Sequence, residues 1–235
     1  MRTMAWAATG MLVLAGCASH QRELTKVDDS GLARLDEGQM GPVDDARIEE
    51  GRAQDAVAKA KAAEADAKAR LEVAKSEKDV GDAQLKRSIA ERDLLKKQYA
   101  PRDQVVQAEE NIQAEQERIK AIDLKLKYLD QLAKVAARER EATEAHVVTA
   151  HAATEKAKYD AMRAANAPQA DAVNAGDLQQ QLASAQARES ELQRKAGEQR
   201  SIAVNLYNQW QQADSRVRTL ARPTNIDVPP PTPAK

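Results

Sequence analysis

Apolar residues recur every three or four positions from about residue 44 to residue 220, and charged residues fill most positions between them. This spacing places the apolar side chains along one face of an α-helix. Proline and glycine interrupt the pattern at Pro101, between Pro168 and Gly176, and at Pro223, which predicts three helices at about 44–99, 103–165 and 177–220. We expect an all-α fold, either an elongated antiparallel coiled-coil hairpin or a bundle of three long helices.

The third predicted helix has the most regular heptad pattern. Eleven of its thirteen seam positions are apolar, and Gln199 and Glu189 are the two exceptions. A pattern kept over six heptads is typical of a coiled coil, in which a polar seam residue either fixes the register or is simply tolerated. The seam positions are Leu178, Leu182, Ala185, Glu189, Leu192, Ala196, Gln199, Ala203, Leu206, Trp210, Ala213, Val217 and Leu220.

The second predicted helix follows a heptad in its first half, interrupted by Glu115, and becomes alanine-rich later. Its seam positions are Val105, Ala108, Ile112, Glu115, Ile119, Ile122, Leu126, Leu129, Ala133 and Ala136. Pro101 disfavours helix at Ala100 and removes one backbone donor. The sequence leaves two readings open here, a turn that begins a new helix or a kink in a continuous one.

The first predicted helix is rich in alanine and has a thin apolar face. Arg52 to Ala74 contains ten alanines in 23 residues, and alanine is the best helix former but buries little area. Asp44 or Asp45 would cap its start. The polar, glycine-containing segment 17–43 is expected to be a flexible tether, and the proline-rich segment 223–235 an extended or disordered tail.

Composition narrows the classes of function. Aromatic residues make up 3% of the chain, phenylalanine is absent, charged residues reach 31%, and the formal net charge is -1. A nucleic-acid-binding protein would show a basic surface, so this class is not expected. With one cysteine, the chain cannot form an internal disulfide.

The amino terminus has the order of a secretory signal: Arg2, an apolar stretch from Met4 to Leu14, two small residues and Cys17. The run Leu14-Ala15-Gly16-Cys17 resembles the lipobox of bacterial lipoproteins. The resemblance implies removal of residues 1–16, a diacylglycerol thioether on Cys17 and acylation of the new amino terminus. Ala18 and Ser19 resemble the outer-membrane sorting class, which faces the periplasm, so we expect the lipid to be the membrane attachment.

Two further resemblances concern the bacterial envelope. A lipidated cysteine, a heptad helix and the terminal Lys235 resemble, in architecture, the Braun-type murein lipoprotein, whose last lysine is joined to peptidoglycan. The segment Tyr99-Ala100-Pro101, followed by spaced alanines, resembles a family of alanine-rich bacterial lipoproteins of unknown function. The likeness to the murein lipoprotein makes Lys235 a candidate site of peptidoglycan attachment.

Motifs for catalysis, cofactors or metals are absent from the sequence. It has no glycine-rich phosphate loop, nucleophile elbow or cysteine cluster. His146 and His151 are roughly 140° apart around a helix, so they cannot share a metal ion. We therefore expect no catalytic residue, cofactor, metal or small-molecule substrate.

Tyr207 and Trp210 are the remaining candidates for contact with a partner. They would form either an aromatic patch for peptidoglycan or a partner protein, or ordinary seam packing, and the register of Trp210 favours the seam. The sequence favours a periplasmic spacer or scaffold that binds a protein partner or itself through its coiled coil. The alternatives are an accessory subunit of an efflux, motility or secretion machine, and a peptidoglycan-linked tether.

Overall fold

Three long helices build the molecule in the computed structural model, which describes residues 25–219. They are α1 (Glu37–Lys97), α2 (Arg102–Ala164) and α3 (Ala175–Thr219), and the described residues contain no strand. Short 3-10 helices at Asp29–Arg34 and Pro168–Ala172 precede α1 and α3. Helix α2 runs antiparallel to α1 and α3 and packs against both, which confirms the expected all-α architecture.

Helix α1 begins at Glu37, seven residues before the expected start at 44. The cap is Asp36 rather than Asp44 or Asp45, because a capping box forms: the Asp36 carboxylate accepts the Gln39 backbone N–H at 2.8 Å, and the Gln39 side chain accepts the Asp36 backbone N–H at 3.1 Å. This corrects the expected tether over its described part. Residues 25–43 are structured, and Val27, Leu32 and Val43 are buried in a core cluster.

Pro101 lies in a tight turn, which decides between the two readings of this position. Tyr99 has a φ of 53°, the left-handed conformation that normally favours glycine. The Ala100 N–H donates to the Leu95 carbonyl at 3.0 Å, and the Tyr99 N–H to the Lys96 carbonyl at 3.3 Å. These bonds form a Schellman motif that closes α1, and α2 starts at the residue after Pro101.

Helix α2 ends in the same way as α1, before the connection to α3. Asn166 has the left-handed conformation there, with a φ of 53°. The Ala167 N–H donates to the Met162 carbonyl at 2.9 Å. Helix α3 then starts at Ala175, two residues before the expected 177. Its cap is Asn174, whose side chain accepts the Gly176 N–H at 2.9 Å.

The core is thin on the α1 side. The buried residues of α1 are Val43, Ala53, Ala67, Ala74 and Gly81. Small side chains let α1 approach α2 closely but remove little apolar area from water. Most of the large buried side chains therefore belong to α2 and α3, where Tyr128, Leu129, Met162 and Leu178 are almost fully enclosed.

The three helices differ in length, which gives the molecule two distinct ends. At 1.5 Å per residue, α1 and α2 are about 90 Å long and α3 is about 68 Å long. One end, which we call the base, holds the start of α1, the end of α2 and the start of α3. At the other end, the tip, α1 and α2 extend about 25 Å beyond Thr219, the last described residue of α3, as a two-helix hairpin.

Candidate functional site

The described chain enters at the base, where its first residues are hydrogen-bonded to α2 and α3. The Thr25 N–H donates to Gln181 Oε1 at 3.1 Å, and Gln181 Nε2 donates to Thr25 Oγ1 at 2.7 Å. The Val27 N–H donates to Glu155 Oε2 at 2.6 Å, and Glu155 is 3% exposed. Cys17 and Lys235 lie outside the described residues.

Lys158 completes this attachment. Its ammonium group lies 2.8 Å from Asp29 Oδ1 and 2.9 Å from Glu155 Oε1. Burial favours a lower pKa for Lys158, but the hydrogen bonds to Asp29 and Glu155 outweigh it and raise the pKa. The lysine therefore stays charged and joins the 3-10 helix at Asp29 to α2.

An aromatic cluster of Tyr128, Tyr207 and Trp210 joins α2 to α3. The rings of Tyr128 and Trp210 are stacked with centroids 5.9 Å apart, and Tyr207 meets both edge-on at 5.3 and 5.7 Å. Tyr128 is fully buried, and burial, with a smaller effect from Tyr207, raises its pKa to about 12. The phenol therefore stays neutral at physiological pH.

This cluster places both aromatic candidates for partner contact at the interface between α2 and α3. Trp210 is 6% exposed and Tyr207 is half-buried. Trp210 is thus a seam residue, as its register favours, rather than part of a surface patch. The sequence did not single out Tyr128, because it lies one position before the seam residue Leu129, in a row that faces α3 instead of α1.

The two polar seam residues of α3 have partners on α2. Gln131 Nε2 donates to Gln199 Oε1 at 2.7 Å and to the Gln199 carbonyl at 3.2 Å. His146 Nδ1 lies 3.0 Å from Glu189 Oε1. A polar pair within an apolar seam is satisfied in one register only, so these pairs favour the register-fixing role.

The two histidines each face carboxylates of other helices and do not face one another. His146 Nε2 lies 3.8 Å from Glu49 Oε1 on α1, in addition to its contact with Glu189, and His151 Nδ1 lies 3.0 Å from Glu50 Oε1. In the part of the chain that the structure describes, no three His, Cys, Asp or Glu side chains converge as a metal site.

Lys125 on α2 and Glu77 on α1 form an ion pair beside the last described turns of α3. Lys125 Nζ lies 2.6 Å from Glu77 Oε2, with side-chain exposures of 6% and 14%. The last turns of α3 line a small cleft beside this pair, through Asp214 and Arg218. A second, open cleft of about 180 Å³ lies farther toward the base and is lined by all three helices, including Ala67, Ala136 and Ala203.

The tip exposes apolar side chains. Tyr99 is 96% exposed, Leu94 53% and Val106 43%. The rows of α2 that face α3 lower in the bundle continue into the tip as the mainly polar residues Gln104, Gln107, Asn111 and Ala114. Their polarity fits an end at which the described residues form two helices rather than three.

Comparison of the chain with family models, with curated proteins and with solved structures gave no match. None of the helices within residues 25–219 carries an apolar stretch long enough to cross a bilayer. Fold and geometry therefore define the class, an elongated antiparallel coiled-coil protein with three helices at its base and two at its tip.

Proposed function

We propose that this protein is a lipid-anchored coiled-coil lipoprotein of the bacterial outer membrane that faces the periplasm and acts as a spacer or scaffold of the cell envelope. The observation that carries the proposal is the position of the lipobox relative to the rod. Cys17 precedes Thr25 by eight residues, a distance of at most about 28 Å even when fully extended. A lipid on Cys17 would therefore hold the base at the membrane and the tip about 90 Å from the base.

Lipid attachment is tested by metabolic labelling with palmitate. The wild-type chain is expected to incorporate label and to sediment with outer-membrane vesicles, and Cys17→Ser is expected to lose both properties. Ser19→Cys in the Cys17→Ser background is the matched control, because it restores a cysteine outside the lipobox register. An unlabelled wild-type chain, or labelling of the control, would contradict the anchor.

The spacer role is tested by changing the length of the rod. Removing fourteen residues from each arm of the tip, in register, shortens the hairpin by about 21 Å. We expect the distance between the two membranes, measured by electron cryotomography of cells that depend on this protein, to shrink with the rod. A constant distance would argue against a spacer and leave the scaffold role.

The exposed tip favours a second candidate, an accessory subunit of an envelope machine such as an efflux, motility or secretion complex. Tyr99 has almost its whole side chain in water, and an exposed aromatic ring is a common anchor in protein interfaces. A photo-crosslinking residue at Tyr99 is expected to capture one protein in intact cells. The same residue at Ser201, an exposed site on α3, is the control, and equal capture at both sites would argue against a specific tip contact.

A third candidate, the peptidoglycan-linked tether, rests on Lys235 alone. Deleting Lys235 is expected to shift the protein from the muramidase-released fraction to the freely extractable one. An unchanged bound fraction would exclude attachment through this residue.

A further inference from the structure

The outward face of α1 carries a long row of mainly apolar residues, interrupted by Ser76 and Arg87. Its members follow one another at intervals of three or four residues and are all exposed, with Val73, Val80 and Leu94 at 60%, 55% and 53%. The buried residues Ala67, Ala74 and Gly81 lie on the opposite side of the helix, against α2. The row comprises Ala58, Ala62, Ala65, Ala69, Val73, Ser76, Val80, Ala83, Arg87, Ala90 and Leu94.

We propose that this row binds the same row of a second copy of the chain, with the two α1 helices antiparallel and the two-fold axis beside Ser76. In this arrangement Val73 lies opposite Val80 of the second copy. Leu94, the largest apolar member, lies opposite Ala58, the smallest kind of side chain in the row. The face is therefore complementary to itself in size, as a two-fold interface requires.

Charge fixes the antiparallel direction. The pairing places Arg87 next to Asp66 of the second copy, Lys59 next to Glu91, and Lys61 next to Asp93. Within the described chain, Lys59, Lys61, Arg87 and Glu91 form no ion pair, so their charges are open to a second copy. Asp66 and Asp93 already pair within α1, with Arg70 at 2.8 Å and with Arg92 at 2.6 Å, so Lys59 and Glu91 form the contact in which both charges are open. A parallel pair in register would instead set Arg87 against its own copy, and like charges across an interface are unfavourable.

Two pairs of like charges also meet in the antiparallel arrangement, and one member of each is neutralised within α1. Lys68 comes near Lys86 of the second copy, but Lys68 already lies 2.6 Å from Glu64. Glu72 comes near Asp79, but Glu72 lies 2.7 Å from Lys75. The four charges without a partner in α1 therefore determine the direction, because a parallel pair in register would set each of them against its own copy.

The two α1 helices can pair whether or not Cys17 carries a lipid. For the proposed scaffold, the pairing would set the distance between two anchored bases. Ser76 is 39 positions beyond Glu37, so an antiparallel pair places the two bases about 120 Å apart. A scaffold made this way would hold two anchored ends at opposite ends of one paired rod.

Disulfide trapping tests the arrangement in the full chain carrying Cys17→Ser, so that each introduced cysteine is the only one. Ser76→Cys is expected to form a covalent dimer on mild oxidation, because the two copies of residue 76 face each other at the axis. Leu94→Cys is expected to stay monomeric, because its two copies would lie about 54 Å apart. Dimers from both variants would indicate a parallel pair, and dimers from neither would exclude the interface; either result overturns the proposal.

Sedimentation equilibrium gives a second test in the same Cys17→Ser chain. Val73→Glu and Val80→Glu together place four carboxylates at the axis and are expected to raise the dimer dissociation constant at least about tenfold. Val106→Glu, at an exposed valine of α2, is the matched control and should leave dimerisation unchanged. All of these sites are exposed, so circular dichroism should report the same helicity in each variant. Equal dissociation constants for the row variant and the control would overturn the proposal.

Discussion

The Tyr128 ring on α2 stacks on the Trp210 ring on α3, with the two planes 9° from parallel. With Tyr207, the stack forms a group of three aromatic rings in a core cluster whose other members are aliphatic. Aromatic pairs of this geometry add stability beyond the area that they bury. The stability of the α2–α3 pair is therefore concentrated in one place.

Trp210→Ala is expected to lower the free energy of unfolding by about 3–5 kcal/mol, because it removes a buried ring and leaves a cavity. Urea denaturation followed by circular dichroism at 222 nm measures the change. Ile202→Ala on the same helix is the control, since Ile202 is 46% exposed, and it should cost well under about 1 kcal/mol. Similar costs at both sites would mean that the cluster is not a centre of stability.

Tyr99→Gly is expected to stabilise the protein, by about 1 kcal/mol, because glycine adopts the left-handed conformation without the steric cost that tyrosine has. The lost side chain is 96% exposed and so contributes little packing. Asn166→Gly tests the same principle at the other connection and should gain less, since asparagine tolerates this conformation. Thermal melting of the three proteins would give the ranking, and a lower melting temperature for Tyr99→Gly would contradict it.

Two glycine-to-alanine substitutions are expected to have opposite effects. At Gly81, in the interior of α1, an added Cβ lies 3.5 Å from Ile122 Cδ1, an ordinary contact, so Gly81→Ala should stabilise by about 1 kcal/mol through helix propensity. At Gly31 the Cβ would overlap the buried Met162 side chain, so Gly31→Ala should destabilise by about 1–3 kcal/mol. Urea denaturation measures both changes. Stabilisation by Gly31→Ala would contradict the close contact with Met162, and destabilisation by Gly81→Ala would contradict the ordinary contact with Ile122.

Glu64 links pH to the contact between α1 and α2. A hydrogen bond from Lys68, and a second from Arg140 on α2, lower the pKa of Glu64 from its ordinary value of 4.5. Because the folded-state pKa is the lower one, this stabilisation is present above pH 4.5 and is lost as the pH falls through the folded-state value. Glu64→Gln should therefore be less stable than the wild type at neutral pH, and the difference should narrow in acid.

The control for this pH dependence is Glu72→Gln. The Glu72 carboxylate pairs with Lys75 on the exposed side of the same helix, so its loss should cost less than about 0.5 kcal/mol at any pH. Urea denaturation at a series of pH values compares the two variants. A constant difference between Glu64→Gln and the wild type would show that the contact does not titrate.

The number of helices, their order and their seam residues were predictable, because apolar residues at heptad spacing lie on the face of a helix that becomes buried. Seam residues such as Leu129, Ala203 and Trp210 are buried as the pattern requires. The start of α1 was not predictable from local polarity, since the glycines and Pro42 before residue 44 suggest a tether. What orders this segment is the capping box at Asp36 and contact with the distant Met162, and neither leaves a periodic signal.

The aromatic cluster shows a second limit of sequence reasoning. A helix packed on two sides needs two apolar rows, and a single heptad assignment for α2 identifies only the row that faces α1. Tyr128 belongs to the other row and became evident only with α3 in place. The sequence also left the turn at Tyr99 undecided. The left-handed conformation there is held by backbone hydrogen bonds, and no glycine marks it in the sequence.

The described part of α3 ends at Thr219, about three-quarters of the way from the base to the tip. Thr219 therefore lies on the flank of the rod rather than at either end. A force applied at Thr219 while the base is held would act as a bending load on a lever, with the last 25 Å or so of the hairpin beyond the point of load. Tension applied at Thr219 and contacts at the tip are thus mechanically separate.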